Sequence, residues 1–189
     1  MKYQYIGLDL SLTGSGVVVL RHHGVAVRRT LKNRLRGYER LAWIRDRVAE
    51  VVREAQEASR LPVVAVIEGY AFGAAHKAHD IGELGGVVRT MLFEDGVPFA
   101  LVPPPTLKKF ATGAGNAPKD NVLMQVLKRW GVEMADNNQG DAYALARFGE
   151  LLCGDEDWTP TKAQLECVRK AEVVGHNEQL IENEKNGKI

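Results

Sequence analysis

The first third of the chain alternates as strands do. Residues 3–9, YQYIGLD, mix aromatic and branched side chains and run into the polar turn chemistry of 10–14, which predicts a first strand and a turn. Residues 17–20 predict a second strand, His23-Gly24 a turn, and VAVRRT at 25–30 a third strand that alternates apolar and polar. Connections this short join antiparallel neighbours, so the three strands form a meander. Over 38–59 the period changes: Leu41, Ile44, Val48 and Val51 recur at steps of three and four, the stripe of an amphipathic helix. PVVAVIE at 62–68 is a short apolar run following a helix, which predicts a buried strand parallel to the first. Residues 78–95 predict a helix in which Gly82, Gly85 and Gly86 offer close approach to a neighbour. Residues 97–102 predict a fifth strand, stopped by Pro103, Pro104 and Pro105. Helices follow at 105–111, 119–131 and 139–152, then a weak helix near 161–173 with fraying beyond. This order predicts an α/β fold with a mixed five-stranded sheet, three antiparallel strands and then two parallel, flanked by helices on both faces. The expected division is a domain over 1–152 and a charged, partly helical tail over 153–189.

Composition narrows the class without naming it. With 189 residues, 45% hydrophobic and 26% charged, the chain is long enough for one sizeable core. No apolar run approaches the roughly 20 residues of a membrane helix, so no membrane partner is expected. The N-terminus reads as a strand rather than a signal peptide. Cys153 and Cys167 are the two cysteines, too far apart for a zinc-type pair, which favours a reduced cytoplasm.

Net charge is only +1, but it is unevenly spread. Arg21, Arg28, Arg29, Lys32, Arg34 and Arg36 stand in an acid-free stretch, and Lys108, Lys109, Lys119, Lys128 and Arg129 face Asp120 alone over 108–129. From 147 onward acids outnumber bases. Such asymmetry fits a basic face for phosphates, or equally the solvated faces of an outer strand and helix.

Candidate chemistry lies at element ends. Asp9 closes the first predicted strand and Glu68 the fourth. A carboxylate beside a core costs free energy unless it is paired or binds metal, and ligands of α/β sheets collect at strand ends. If the two strands are neighbours, the two acids face one crevice. A third group, Asp136-Asn137-Asn138-Gln139-Gly140-Asp141, opens a helix. One such residue suffices for a cap. Two acids and two asparagines together suit an oxygen-rich Mg²⁺ or Mn²⁺ site.

Four segments, GLDLSLTGSGVVVL, VVAVIEGYAFG, PPPTLKKFATGAGNAPKDNV and DNNQGDAYALA, in this order, resemble the RuvC family of Holliday-junction resolvases, especially short phage-type members. The first segment alone also resembles sugar kinases and actin-like ATPases. The resemblance covers roughly residues 4–152 and implies an RNase H-like fold, a homodimer, DNA as partner and two Mg²⁺ or Mn²⁺ ions per site, with no organic cofactor. It places the family's first acid at Asp9, its second at Glu68 and its last at Asp141. The family's remaining acid falls on Asn138, an amide. Asn138 or Asp136 is therefore the candidate fourth ligand, and charge balance favours an Asp136 brought in by a bent loop. Lys108 and Lys119 correspond to lysines that face the scissile-strand phosphate, and Lys109 is a further DNA-binding candidate. Tyr70 and Phe72 resemble the aromatic that wedges into the junction centre, with core packing as the other reading.

The reaction implied is phosphodiester hydrolysis by metal-activated water, leaving 5′-phosphate and 3′-hydroxyl ends. Asp9, Glu68 and Asp141 serve metal, and Lys119 with Lys108 neutralises phosphate charge. Three other functions compete. An RNase H-like nuclease for RNA/DNA hybrids or flaps shares the acids. An actin-like phosphotransferase needs a second domain that this length does not supply. A non-catalytic junction-binding protein would not need the three acids.

Overall fold

The computed structural model describes residues 1–22, 24–69, 78–118, 120–169 and 171–175. Three strands open the chain: β1 (Gln4–Asp9), β2 (Ser15–Arg21) and β3 (Gly24–Leu31). The helix α1 (Gly37–Ala58) leads to β4 (Val63–Glu68), and α2 (Ala78–Glu94) to β5 (Phe99–Val102). Four helices follow: α3 (Pro104–Thr112), α4 (Asp120–Trp130), α5 (Asn137–Leu152) and α6 (Lys162–Val168). A short β6 (Glu172–Val174) ends the described chain.

Among the described residues the sheet has six strands in the order β3-β2-β1-β4-β5-β6. β1 pairs antiparallel with β2 and parallel with β4, and β4 pairs parallel with β5. The expected meander followed by parallel strands is thus present. The strand count is corrected from five to six. The stretch 161–173, read as one weak helix, is a seven-residue helix and then a three-residue strand. Thr161 and Gln164 form a reciprocal capping box that starts α6. β6 then lies antiparallel on β5 and covers an edge that would otherwise offer unpaired backbone groups. Three residues are too few to show a period of two, so the pattern did not reveal the strand.

Each face of the sheet is covered by its own helical layer. Leu41, Ile44, Val48, Val51 and Val52 of α1 pack with Ile6, Leu8, Val17, Val19 and Ile67 on one face, joined by Leu84, Val88 and Leu92 of α2. On the other face α5 runs across β1, β2 and β4 with every residue from Ala142 to Leu152 buried. Small residues make that approach possible. A Cβ on Gly7 would lie 1.8 Å from the carbonyl oxygen of Ala142, and one on Gly149 would lie 2.9 Å from both Tyr5 and Val66. Trp130 sits in an aromatic cluster with Phe110, Tyr143 and Trp158.

Residues after α5 return to the start of the chain. The buried Asp155 carboxylate accepts from the amide of Lys2 at 2.5 Å and from the Tyr5 hydroxyl at 2.9 Å. Burial alone would raise the Asp155 pKa, but these donors and the amide of Tyr3 hold it below the usual range. Cys153 and Cys167 are free and buried. Burial pushes the Cys153 thiol up to about 12, so it carries no thiolate chemistry.

Candidate active site

Strand register decides which carboxylates meet. In the parallel pair Leu8 lies opposite Ile67, so Asp9 and Glu68 occupy the next position out on adjacent strands, about 4.8 Å apart in the pairing direction. Side chains alternate between faces. Tyr5 lies on the α5 face with Val64 and Val66, whereas Ile6, Leu8 and Ile67 lie on the other. Asp9 therefore shares the α5 face with Glu68. Asp9 is 7% exposed, a depth at which a carboxylate needs partners.

The same line of pairing continues outward. Asp9 is opposite Gly16, and Gly16 is opposite Thr30. The entrance of α5 lies over this row: a Cβ on Gly16 would stand 2.0 Å from the backbone oxygen of Asn138. Asn138 and Asp141 are three residues apart at the start of a helix, hence on one face of it. Asp9, Glu68, Asn138 and Asp141 thus converge on one end of one sheet face from three separate elements. Among the described residues no three His, Cys, Asp or Glu side chains are gathered tightly enough to grip one ion between them.

Asp136 has a different place. Its side chain caps α5, accepting from the amide of Gln139 at 3.0 Å through one oxygen and from the Thr30 hydroxyl at 2.8 Å through the other. Gln139 in turn donates to Thr30 at 3.1 Å. Charge balance pointed to Asp136 as a ligand, but both its oxygens are engaged in fastening α5 to β3. The strand register, which the sequence did not reveal, is what puts Thr30 within reach. Thr30 and Gln139 escaped sequence reasoning because neither stands out until β3 is aligned with β2.

The lysines divide as well. Lys109 pairs with Glu166 of α6 at 2.9 Å, and this hydrogen bond raises the pKa of Lys109 and lowers that of Glu166. Its place in the fold is the α3–α6 contact rather than the acid end. Lys108 is half-buried on α3, which follows directly from β5, the neighbour of β4. Lys119, Tyr70 and Phe72 lie outside the described residues. Asp120, the residue after Lys119, accepts from the side-chain amide of Asn137 at 2.8 Å, so the start of α4 is tied to the entrance of α5.

The chain is similar to known proteins over much of its length. No family model matches the chain. Over 108 residues the chain is 30% identical to the crossover junction endodeoxyribonuclease RuvC of Synechococcus sp. strain WH7803, covering 55% of this chain and 70% of that protein. It is 28% identical over 108 residues to the protein of the same description from strain CC9311, covering 68% of it. Among solved structures, Thermus thermophilus RuvC superposes with a TM-score of 0.63 at 25% identity, covering 76% of this chain and 90% of that one. The same protein in complex with a Holliday junction substrate superposes with a TM-score of 0.61.

Proposed function

The chain belongs to the RuvC family of crossover junction endodeoxyribonucleases, and from that premise we propose that it resolves four-way DNA junctions by metal-dependent phosphodiester hydrolysis, acting in the cytoplasm as a homodimer. The observation that carries the reading is the shared register of Asp9 and Glu68 beneath the entrance of α5. Divalent cations, when bound, supply an activated water and stabilise charge on the phosphate. Asp9, Glu68, Asn138 and Asp141 would hold these cations. The buried walls around Asp9 exclude bulk water and strengthen every interaction with the phosphate. Lys108, on the helix that follows β5, and Lys119 would offset negative charge on the phosphate.

The direct test is incubation with a synthetic four-way junction, an RNA/DNA hybrid and a flap, each with Mg²⁺ and with chelator. Paired, metal-dependent nicks in the junction are expected, with 5′-phosphate ends. Cutting of the hybrid or flap in preference to the junction would sink the proposal in favour of a different RNase H-like nuclease. Metal-independent binding without any cutting would make the chain a junction-binding protein.

The assignment of Asn138 rather than Asp136 as the fourth ligand has its own expected outcome. Asp136→Ala removes a cap and a half-buried hydrogen bond, a loss of about 1–3 kcal/mol, and should lower the melting temperature by several degrees. Its Mg²⁺ requirement should stay near that of the wild type. Asn138→Ala should do the reverse, raising the Mg²⁺ concentration for half-maximal cleavage while barely moving the melt. If Asp136→Ala instead raises the Mg²⁺ requirement more, Asp136 is the ligand.

The dimer reading rests on α2. Among the described residues a Cβ on Gly86 would meet nothing within 4 Å, so the close approach predicted from this glycine is not made there. Open grooves of about 540 and 310 Å³ run along both sides of the helix at Gly86, and Phe93 is 55% exposed. Self-association would bury this surface and place two sites on opposite strands, matching protein symmetry to junction symmetry. Sedimentation at micromolar concentration should show a dimer. Gly86→Arg has room in the monomer fold and should shift it to monomer with loss of paired nicking. A Gly86→Arg protein that still sediments as a dimer would remove α2 from the interface.

A further inference from the structure

Of the six basic residues in 21–36, three are already engaged. Arg21 donates to the Gln4 side chain at 2.9 Å, Arg28 to the backbone oxygen of Glu133 at 2.8 Å, and Arg29 pairs with Glu54 of α1 at 2.8 Å. Arg29 projects from the face opposite the acids, because its neighbour Thr30 bonds to the entrance of α5. Lys32 differs from these three. It follows β3 directly, and Ser15 pairs with Leu31, so Lys32 falls opposite Gly14, one row outward from Gly16 and Thr30 on the α5 face. A Cβ at Gly14 would lie 3.5 Å from Lys32 Cε and 3.2 Å from Asn138 Nδ2. The lysine stem and the Asn138 amide therefore converge over Gly14, in the space that the missing side chain leaves. Lys32 is exposed, and no carboxylate pairs with it among the described residues.

From this placement we propose that Lys32 is a DNA-phosphate-binding residue of the active site, gripping the cleaved strand on the β3 side of the acids. The inference rests on the junction-nuclease reading above and assigns a contact on its β3 side. β3 lies two strands from β1, about 10 Å. Less the reach of the lysine stem, its ammonium meets a phosphate near the scissile one. A charge at that position also sits beside Asn138, where an amide replaces a carboxylate. An acid there would have drawn the ammonium into an ion pair, whereas an amide leaves the cation available to the substrate.

The test is equilibrium binding of the full chain to a synthetic four-way junction in chelator, where no cutting occurs, across a range of salt concentrations. Lys32→Met keeps the stem over Gly14 and removes the charge. Its plot of log affinity against log salt should be shallower by about 0.9 per chain bound, the signature of one fewer phosphate neutralised. Lys32→Arg should restore the slope, and Arg29→Met, on the other face, should leave it unchanged. A Lys32→Met protein with the wild-type slope overturns the proposal. So does one that binds more weakly at an unaltered slope, because that weakening would come from packing. A wild-type protein that neither binds nor cuts the junction would instead overturn the underlying reading. A thermal melt of Lys32→Met matching the wild type confirms that the comparison is between folded proteins, and Lys32→Gln provides the same charge removal should Met aggregate.

Discussion

Asp9→Asn, Glu68→Gln and Asp141→Asn should each lower junction cleavage by about 10³-fold or more, while junction affinity in chelator stays within a few-fold of the wild type. Each substitution keeps the shape of the side chain and removes one negative charge from the end of the sheet where β1, β4 and α5 meet. Charges developing on a phosphate are stabilised by several kcal/mol when a cation is held against them, and each 1.36 kcal/mol is about tenfold in rate. Affinity for DNA comes instead from basic contacts to phosphate, and the amide variants leave those in place. Removing a buried carboxylate can even tighten binding slightly, since the acids repel the phosphate when no cation is present. Stability should change least for Asp141, in the first turns of α5, and most for Asp9, which is nearly buried. Single-turnover cleavage with binding measured in parallel separates the two effects. Full activity in any one variant would remove that residue from the site. Loss of binding in step with cleavage would mean that the acids build the fold rather than the chemistry.

What the chain's pattern made legible follows from burial. α1 shows its stripe because one face meets the sheet and the other meets water, and β4 shows a continuous apolar run because both its faces are covered. Asp9 and Glu68 stood out because a charge at the end of a buried strand is costly unless it has a use. What stayed hidden was relational. The cap residue Asp136 is also bonded by Thr30, 106 residues earlier, and no local pattern announces such a pair. Lys32 looked like one of six equivalent bases until the β2–β3 register put it opposite Gly14. β6 was too short to show alternation, and the helical period before it carried the reading on to residue 173. The site's acids were therefore readable one at a time, whereas the fastening that aims them required the sheet.

Gly7→Ala and Gly16→Ala should be among the most damaging single substitutions in the chain, although each adds only one carbon. The new Cβ of Gly7 would stand 1.8 Å from the backbone oxygen of Ala142, and that of Gly16 2.0 Å from the backbone oxygen of Asn138. Neither neighbour is the end of a flexible side chain that can turn away. To reach the 3.0 Å that real contacts keep, α5 must lift off the sheet by roughly an ångström or β1 and β2 must bend, in an interior packed as densely as a crystal. Overpacking of this kind costs about 1–3 kcal/mol where side chains can adjust, and more where backbone meets backbone. That is a large share of the roughly 5–15 kcal/mol that holds a domain folded. Gly14→Ala is the internal comparison, because its Cβ would meet only the Asn138 and Lys32 side chains, at 3.2 Å and beyond, and they can yield. Urea melts should therefore rank Gly14→Ala near the wild type and the other two well below it. Gly16→Ala should show a second defect at low temperature, where the fold survives. Lifting the entrance of α5 moves Asn138 and Asp141 away from Asp9, so cleavage should fall by about 10²-fold or more even in the folded protein, in keeping with the sensitivity of such sites to displacements of an ångström. A Gly16→Ala protein that melts like the wild type and cuts at full rate would mean that α5 does not rest on β2 as described, and that the site is not held by this contact.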